Sequence, residues 1–245
     1  MDLAETLHKE AFEALSQFMR DRMCLIDHGT GNLFSASGRL FLATCHHVAA
    51  SFFAHPDYRY IVLRNNVRIP RSDLKLIDFK SGELDVALIE ILRPVSEFPS
   101  YTLENVEIMD TYEISKFDKT DILITGVPGA LDREEARGTF HTPVTFLTLP
   151  DESKLPSSDF LYCRYVLKEP VVETKSGNKL ELPPAPGFSG AFMLKVKQFK
   201  GQKDVVWSSR MAQVIAIQHR WDNGTYIKGT NIKHLIDLLP KDGGA

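Results

Sequence analysis

The sequence predicts an all-β protein built in two halves, with a helix at each end of the chain. Short apolar segments recur at close spacing through most of the 245 residues, and turn residues separate them. A proline-bearing stretch, residues 93–100, divides these segments into two sets of similar size. Many short strands at close spacing are typical of a barrel or a sandwich. With 43% hydrophobic and 25% charged residues, the composition is that of a soluble globular protein with a sizeable core.

The chain is predicted to begin with an amphipathic helix over residues 1–21. Its apolar residues recur at steps of mostly three to four residues, which is the period of a helix with one apolar face. They are Leu3, Leu7, Phe12, Leu15, Phe18 and Met19. The simpler interpretation is a helix packed on the surface of its own domain. The other is that this helix binds a regulatory protein partner.

Residues 22–100 are predicted to form the first β domain. Its apolar segments are rich in aliphatic and aromatic residues, and Gly, Asn, Asp and Ser mark the turns between them. The predicted strands are Met23–Ile26, Leu33–Ala36, Arg39–Thr44, Tyr60–Leu63 and Leu84–Leu92, and Asp27–Asn32 is predicted to be a turn.

Residues 101–240 are predicted to form the second β domain, which ends in a helix over Asn231–Leu239. The predicted strands are Thr111–Ser115, Asp121–Thr125, Phe140–Leu147, Phe160–Val166, Ala191–Val196, Met211–Gln218 and Thr225–Lys228. Residues 241–245 are predicted to be a flexible tail.

Composition and charge exclude several functional classes. The net charge is -3 with acidic and basic residues interspersed, so no surface for nucleic acid or an anionic membrane is expected. No run of eighteen apolar residues occurs, and charged residues interrupt the first twenty, so neither a membrane span nor a secretory signal is expected. The three cysteines are widely spaced, which fits neither a disulfide framework nor a paired-cysteine zinc site. We therefore expect a cytoplasmic protein with reduced thiols.

The stretch from Pro183 to Leu194 presents a serine in the manner that a nucleophile needs. Ser189 lies between Phe188 and Gly190, prolines precede it and an apolar strand follows. Gly187 allows close approach of the backbone, so its N–H and that of Ser189 can converge on one oxygen and stabilise an oxyanion. A short match of this kind arises by chance in many chains, so a serine alone is weak evidence.

A base and a group that orients it are found in the first β domain. The apolar strand ending at Thr44 runs into His46 and His47, and an imidazole can take a proton from a serine near neutral pH. Only one of two adjacent histidines can face the serine. Asp85 interrupts a strand that is otherwise apolar on the face it shares with Ala87 and Ile89, and a buried carboxylate needs a partner such as an imidazole N–H.

Three stretches resemble the His, Asp and Ser blocks of the chymotrypsin/trypsin-like serine protease superfamily, in that family's order. They are Thr44-Cys45-His46-His47-Val48, Leu84-Asp85-Val86-Ala87-Leu88 and Gly187-Phe188-Ser189-Gly190. Two further pieces are similar, Gly29-Thr30-Gly31 at the entry to the first barrel and Ile124–Gly129, a "GxPG" strand and turn in the second. The resemblance extends over roughly residues 22 to 240.

The resemblance implies two six-stranded antiparallel β-barrels of the trypsin-like type, with the site between them. It implies that Ser189 is the nucleophile, His47 the general base and Asp85 its orienting group, with Gly187 and Ser189 amides as the oxyanion hole. No metal and no organic cofactor is expected.

The resemblance also implies that the substrate is a protein or peptide. The family pattern places Pro183, Gln218, His219 and Lys228 at the substrate-binding pocket. His219, Arg220 or Lys228 would favour an acidic substrate residue by charge pairing. The alternative for these basic residues is solvated surface charge.

The chain departs from the secreted members of that family in ways that bear on regulation. Phe188 stands where those members carry an aspartate that captures a new N-terminus, so activation by insertion of an N-terminus is not expected. The resemblance is closer to intracellular bacterial members, without their C-terminal PDZ domain. A competing interpretation is a binding module on a protease-like scaffold whose triad is unaligned or silent, and a protease gated by a partner lies between the two.

Overall fold

The computed structural model describes most of the chain and three helices in it. The described residues are 3–26, 28–63, 67–102, 122–127, 133–135, 138–140, 143–151, 153–154, 157–165, 170–172, 179–181, 185–196, 212–222 and 225–241. The helices are α1 (Leu3–Arg20), α2 (His46–Ala54) and α3 (Lys233–Ile236).

The first half of the chain forms one curled sheet. Its strands are β1 (Met23–Ile26), β2 (Gly29–Ala36), β3 (Arg39–Thr44), β4 (Tyr60–Leu63), β5 (Arg68–Pro70), β6 (Leu74–Lys80), β7 (Val86–Ile91) and β8 (Tyr101–Thr102). Seven of them are antiparallel neighbours in the order β5-β4-β1-β2-β3-β7-β6, and β8 pairs in parallel with β2. The two edge strands, β5 and β6, are joined directly by a 3₁₀ turn, Arg71–Asp73, so the sheet curls back on itself.

The second half forms a six-stranded antiparallel sheet and two short hairpins. Its strands are β9 (Ile122–Gly126), β10 (Arg133–Glu135), β11 (Gly138–Phe140), β12 (Val144–Thr148), β13 (Phe160–Arg164), β14 (Pro170–Val172), β15 (Lys179–Glu181), β16 (Phe192–Val196), β17 (Ala212–Asp222) and β18 (Tyr226–Asn231). The sheet order is β12-β9-β16-β17-β18-β13. An isolated bridge between Pro150 and Cys163 joins its two edges, which makes this sheet barrel-like.

The predicted all-β architecture of two antiparallel β-barrel halves, with a helix at each end, is confirmed. In the described part of the chain, the first sheet has eight strands rather than the six predicted. Strand β5 was missed because it is only three residues long, and β6 because exposed and half-buried residues follow each other along it. The predicted turn at Asp27–Asn32 is wrong from Gly29 onward, since β2 begins there.

Several predicted segments lie outside the described residues. They are the strand at 111–115, Pro183, the end of the "GxPG" turn at 128–129 and the tail from 242 onward.

One large hydrophobic cluster joins the two sheets. It contains the interior of the first sheet, Leu15 and Met19 of α1, Leu235 of α3, and Leu123 and Phe192 of the second sheet among other buried residues. A second cluster, which includes Ile124, Phe188 and Ile227, fills the interior of the second sheet. Since one cluster contains side chains from both halves, apolar packing holds the two sheets together.

The described half of α1 packs on the protein's own core. Leu15 and Met19 are buried, Phe12 and Phe18 pack against the same cluster, and Thr125 Oγ1 lies 3.4 Å from Met19 Sδ. Residues 12–20 therefore match the simpler of the two predictions for this helix, and its binding of a partner stays a prediction. Among the described residues, no helix is both long and apolar enough to cross a membrane.

Candidate active site

His47 and Asp85 form a doubly hydrogen-bonded pair. His47 is the second residue of α2, after His46, and its backbone N–H donates to Asp85 Oδ1 at 2.9 Å. The ring Nδ1 lies 2.6 Å from Asp85 Oδ2. The His47 side chain is 52% exposed and that of Asp85 only 14%, so the carboxylate sits behind the imidazole. Because Nδ1 faces Asp85, Nε2 on the other side of the ring faces away from that carboxylate.

Asp85 immediately precedes β7 in a left-handed backbone conformation, with φ of 45°. The sequence prediction placed it within a strand from residue 84, which is wrong by two residues. Aspartate tolerates this conformation better than most residues, and the two bonds from His47 compensate its cost.

The pKa of Asp85 is lowered. Burial acts in the opposite direction, but the hydrogen bonds and charge of His47, with a contribution from His219, outweigh it. Asp85 is therefore ionised near neutral pH, so Nδ1 of His47 is the donor and its Nε2 is the acceptor of the neutral ring.

The residues beside His47 point elsewhere, as the sequence predicted for His46. The His46 ring stacks on Phe79 with 4.3 Å between centroids. Cys45 is fully buried and its Sγ donates to Gln218 O at 3.2 Å. Burial and the charge of Asp85 raise the pKa of this thiol well above its ordinary value. Cys45 is thus a packed, protonated thiol and is not suited to be a nucleophile.

Ser189 lies on a turn in the second half of the chain, and residues of the first sheet donate hydrogen bonds to that turn. Thr30 N donates to Ser189 O at 2.8 Å, Thr30 Oγ1 donates to Gly187 O at 2.9 Å, and Asn32 Nδ2 donates to Gly190 O at 2.6 Å. All these donors belong to β2. Three carbonyls of the turn are therefore fixed by hydrogen bonds that cross from one sheet to the other.

The junction between the two sheets, called the seam below, also contains the neighbours of His47 and Asp85. A Cβ built on Gly29 would lie 2.6 Å from Val48 of α2 and 3.0 Å from Ser189 O, so the serine turn and the start of α2 both lie close to β2's first residue. The Thr230 hydroxyl of β18 donates to Leu84 O, directly before Asp85. The predicted base, orienting group and nucleophile thus all lie at the junction of the two sheets.

The Ser189 hydroxyl does not contact the predicted base through a hydrogen bond in this structure. Among the described residues, Ser189 Oγ makes no hydrogen bond to the His47 ring. Such bonds are often long in the absence of substrate and tighten when it binds.

Two backbone N–H groups of the turn remain available as oxyanion donors. Within the described part of the chain, the amides of Gly187 and Ser189 have no hydrogen-bond partner, whereas Phe188, Gly190 and Ala191 donate to Ala185, Gln218 and Phe188. Gly187 has φ of 100°, a conformation that favours glycine. The two unused donors are the ones predicted to form the oxyanion hole.

His219 is a buried neighbour of the pair. It occupies a register shift in β17 between Gln218 and Arg220, and its Nδ1 lies 3.9 Å from Asp85 Oδ2. Burial lowers the pKa of His219 to about 4, although the charge of Asp85 acts against this shift. Its Nε2 is buried and has no hydrogen-bond partner among the described residues. His219 is therefore neutral near pH 7 and cannot serve there as a cation.

The other predicted substrate-binding residues differ in position. Gln218 is buried, and its carbonyl accepts from Gly190 N at 2.7 Å. Lys228 is largely buried, with its ammonium 3.4 Å from the ring centroid of Phe160, and burial lowers the pKa of this lysine. Pro183 lies outside the described residues. The binding of substrate by these residues stays a prediction.

One group of side chains in the site has ligand types that zinc accepts. Sulfur, nitrogen and oxygen atoms of Cys45, His47 and Asp85 lie within 4.8 Å of one another. Zinc binds the thiolate, yet burial keeps the Cys45 thiol protonated, and Nδ1 of His47 already donates to Asp85. The group is therefore better described as a hydrogen-bonded pair beside a buried thiol.

The sequence prediction missed the polar residues that bond across the junction of the two sheets, or that support such a residue. These are Thr30, Asn32, Thr44 and Thr230, all buried. The available signal was the presence of hydroxyl and amide side chains on strands that are otherwise apolar, because buried polar groups need partners. Which partners they have depends on the contact between sheets.

Comparisons with known proteins show the fold alone. No protein-family model matches the sequence, and no curated protein matches it. Among solved structures, 262 chains match. One comes from work on how "aromatic interactions drive the coupled folding and binding of the intrinsically disordered Sesbania mosaic virus VPg protein", with a TM-score of 0.51, 14% identity, and coverage of 91% of this chain and 92% of that one.

Substitution of Gly190 tests the contact between the sheets. Gly190 has φ of 96°, and a Cβ there would overlap Thr30 O and lie 2.6 Å from Thr44 Oγ1. We expect Gly190→Ala to lower the free energy of unfolding by at least about 3 kcal/mol, or to prevent folding, through strain plus overpacking. Thermal and urea unfolding measure the effect.

Gly38→Ala is the matched control. Gly38 also has a positive φ, 71°, but nothing lies within 4 Å of its Cβ position. It should cost only the conformational strain, about 1–2 kcal/mol. Equal losses in the two variants would contradict the close approach of the sheets.

The pH dependence of stability tests the burial of neutral His219. Because its pKa is lowered from 6.5 to about 4 in the folded protein, the unfolded chain takes up the proton first as the pH falls. His219 therefore destabilises the fold between pH 6.5 and 4, by on the order of 1–3 kcal/mol at the lower end. We expect His219→Gln to lose less stability than the wild type between pH 7 and pH 4 in thermal unfolding. Parallel curves would show that His219 is not buried in its neutral form.

Proposed function

We propose that the protein is a serine endopeptidase of the chymotrypsin/trypsin-like kind, which hydrolyses peptide bonds through an acyl-enzyme on Ser189. The observation that carries this proposal is that the hydrogen-bonded His47–Asp85 pair lies at the same junction of the two sheets as the serine turn. In that turn, the N–H groups of Gly187 and Ser189 have no hydrogen-bond partner among the described residues. A nucleophile, an oriented base and oxyanion donors are the parts that acyl transfer requires.

Each residue has one role in the proposed reaction. Ser189 Oγ attacks the carbonyl carbon of the peptide bond while its proton passes to Nε2 of His47, and the carbonyl electrons move onto oxygen. The N–H groups of Gly187 and Ser189 stabilise this oxyanion. The ionised Asp85 stabilises the imidazolium, which then returns the proton to the leaving amine. A water molecule, activated by His47 in the same way, hydrolyses the ester and frees Ser189.

The proposed substrate is a protein or a peptide. Of the residues proposed to contact it, Lys228 is the candidate for pairing with an acidic substrate residue, since neutral His219 offers no charge near pH 7. The ammonium of Lys228 lies against Phe160 and makes no ion pair with a described residue.

A gated protease is the second candidate. The observation that favours it is the absence of a hydrogen bond between Ser189 Oγ and His47 within the described residues. In this alternative, a partner aligns the serine with the base, and α1 is the proposed binding element. A permanently silent scaffold would have the same geometry but no means of alignment.

Labelling with a fluorophosphonate probe distinguishes an enzyme from a scaffold. We expect the wild type to be labelled, and Ser189→Ala and His47→Ala to lose labelling and to hydrolyse peptides on the order of 10⁴-fold more slowly. Cys45→Ser is the matched control, since it changes the residue beside the histidines without removing a proposed catalytic group. It should keep both labelling and hydrolysis.

Two other results would change the proposal. Labelling that persists in Ser189→Ala would mean that another residue is the nucleophile. An unlabelled wild type that becomes labelled after addition of a cell extract, in a Ser189-dependent manner, would favour the gated form. If the wild type stays unlabelled even after addition of the extract, the scaffold interpretation is preferred.

A further inference from the structure

Thr30 is buried at the seam and contacts the serine turn through both its backbone and its side chain. Its N–H donates to Ser189 O at 2.8 Å, and its hydroxyl donates to Gly187 O at 2.9 Å. Its carbonyl accepts from Thr44 Oγ1 at 2.9 Å. The residue has no exposed surface. One residue of β2 thus donates hydrogen bonds to two carbonyls of the turn.

The direction of the hydroxyl bond is fixed by a third segment. Val127 N, just after β9, donates to Thr30 Oγ1 at 3.1 Å. A backbone N–H can only donate, so the single hydroxyl proton of Thr30 is directed to Gly187 O. The resulting chain, Val127 N–H to Thr30 Oγ1–H to Gly187 O, has no alternative orientation that keeps both bonds.

These bonds hold the two peptides on either side of Phe188, which lie between the unused amides of Gly187 and Ser189. N–H and C=O of a trans peptide point in opposite directions. Ala191 N holds Phe188 O at 2.8 Å, so the N–H of Ser189 must face away from Ala191. The Thr30 hydroxyl donates to Gly187 O and so holds the peptide between Gly187 and Phe188. Phe188 N, at the other end of the same peptide, donates to Ala185 O at 3.0 Å, so two bonds hold the peptide that follows Gly187, whose φ is 100°. The N–H of Gly187 belongs to the preceding peptide, on the other side of the Gly187 Cα.

We propose that the Thr30 hydroxyl is a positioning group for the oxyanion donors, because it holds Gly187 in the conformation that leaves its N–H free. This inference rests on the proposed endopeptidase function. Thr30 does not contact the substrate in this proposal and acts only through Gly187. The simpler alternative is that the hydroxyl only satisfies the buried N–H of Val127.

Two substitutions separate these roles. Thr30→Val keeps the shape of the side chain and the backbone bond to Ser189 but removes both hydroxyl bonds, whereas Thr30→Ser keeps them. Loss of one oxyanion donor lowers kcat by about 10²–10³-fold, so a misplaced donor should lower it by roughly 10–100-fold. The substrate binds before the oxyanion forms, so KM should change by less than about threefold. Thr30→Ser should restore kcat to within about threefold of the wild type, since it restores the positioning bond.

Thr125→Val is the control for a general loss of stability. Thr125 is also a buried strand threonine, and its hydroxyl bonds Thr145 Oγ1 at 2.8 Å, away from the serine turn. It should lower the melting temperature without lowering kcat. If Thr30→Val and Thr125→Val lower kcat equally, or if Thr30→Val keeps wild-type kcat, the positioning role is excluded.

Hydrogen exchange measured by mass spectrometry keeps the inference testable if the protein does not hydrolyse peptides. In residues 185–191, the amides of Phe188, Gly190 and Ala191 are hydrogen-bonded. Thr30→Val should increase exchange in this segment, and Thr30→Ser and Thr125→Val should not. Unchanged exchange in Thr30→Val overturns the inference even in an active enzyme. Increased exchange in a protein that no probe labels supports the positioning of the turn, and only the proposed function then fails.

Discussion

The structure depends on the hydrogen bonds by which β2 of the first sheet holds the carbonyls of residues 187–190 in the second. Apolar packing joins the sheets but is not directional, so it cannot by itself fix a turn to within hydrogen-bonding tolerance. The donors of Thr30 and Asn32 can, because they are buried and would be costly to leave unpaired. Their geometry therefore sets the relative position of the sheets at the point where the proposed chemistry takes place.

The electrostatics of the site follow from the same contact. Asp85 lies where β7 meets the second sheet, so it is partly buried, and it remains ionised because His47 donates to it twice. His219, on the other side of the seam, is kept neutral by burial. A carboxylate that carries charge and an imidazole that does not are thus neighbours within 3.9 Å, and Nε2 of His47, which faces away from Asp85, is left as a proton acceptor.

The sequence was sufficient for the parts of the fold that local patterns determine. The strands from Met23 to Thr44 follow from short-range hydrophobic patterns and are found within a few residues of their predicted positions. The start of β2 at Gly29 could not be predicted from local patterns, because the two glycines in Gly29-Thr30-Gly31 locally indicate a turn. They are required because Val48, Leu42 and Cys24 would contact any larger side chain. The roles of Thr30 and Asn32 were missed for the same reason, because their partners are more than 150 residues away.

A crystal structure of the protein after reaction with diisopropyl fluorophosphate tests the central claim most directly. We expect the phosphorus on Ser189 Oγ, its oxygen within hydrogen-bonding distance of the Gly187 and Ser189 amides, and Nε2 of His47 turned toward the adduct with its bonds to Asp85 intact. An adduct on a different residue, or a modified Ser189 whose phosphoryl oxygen faces away from both amides while His47 remains apart, would contradict it.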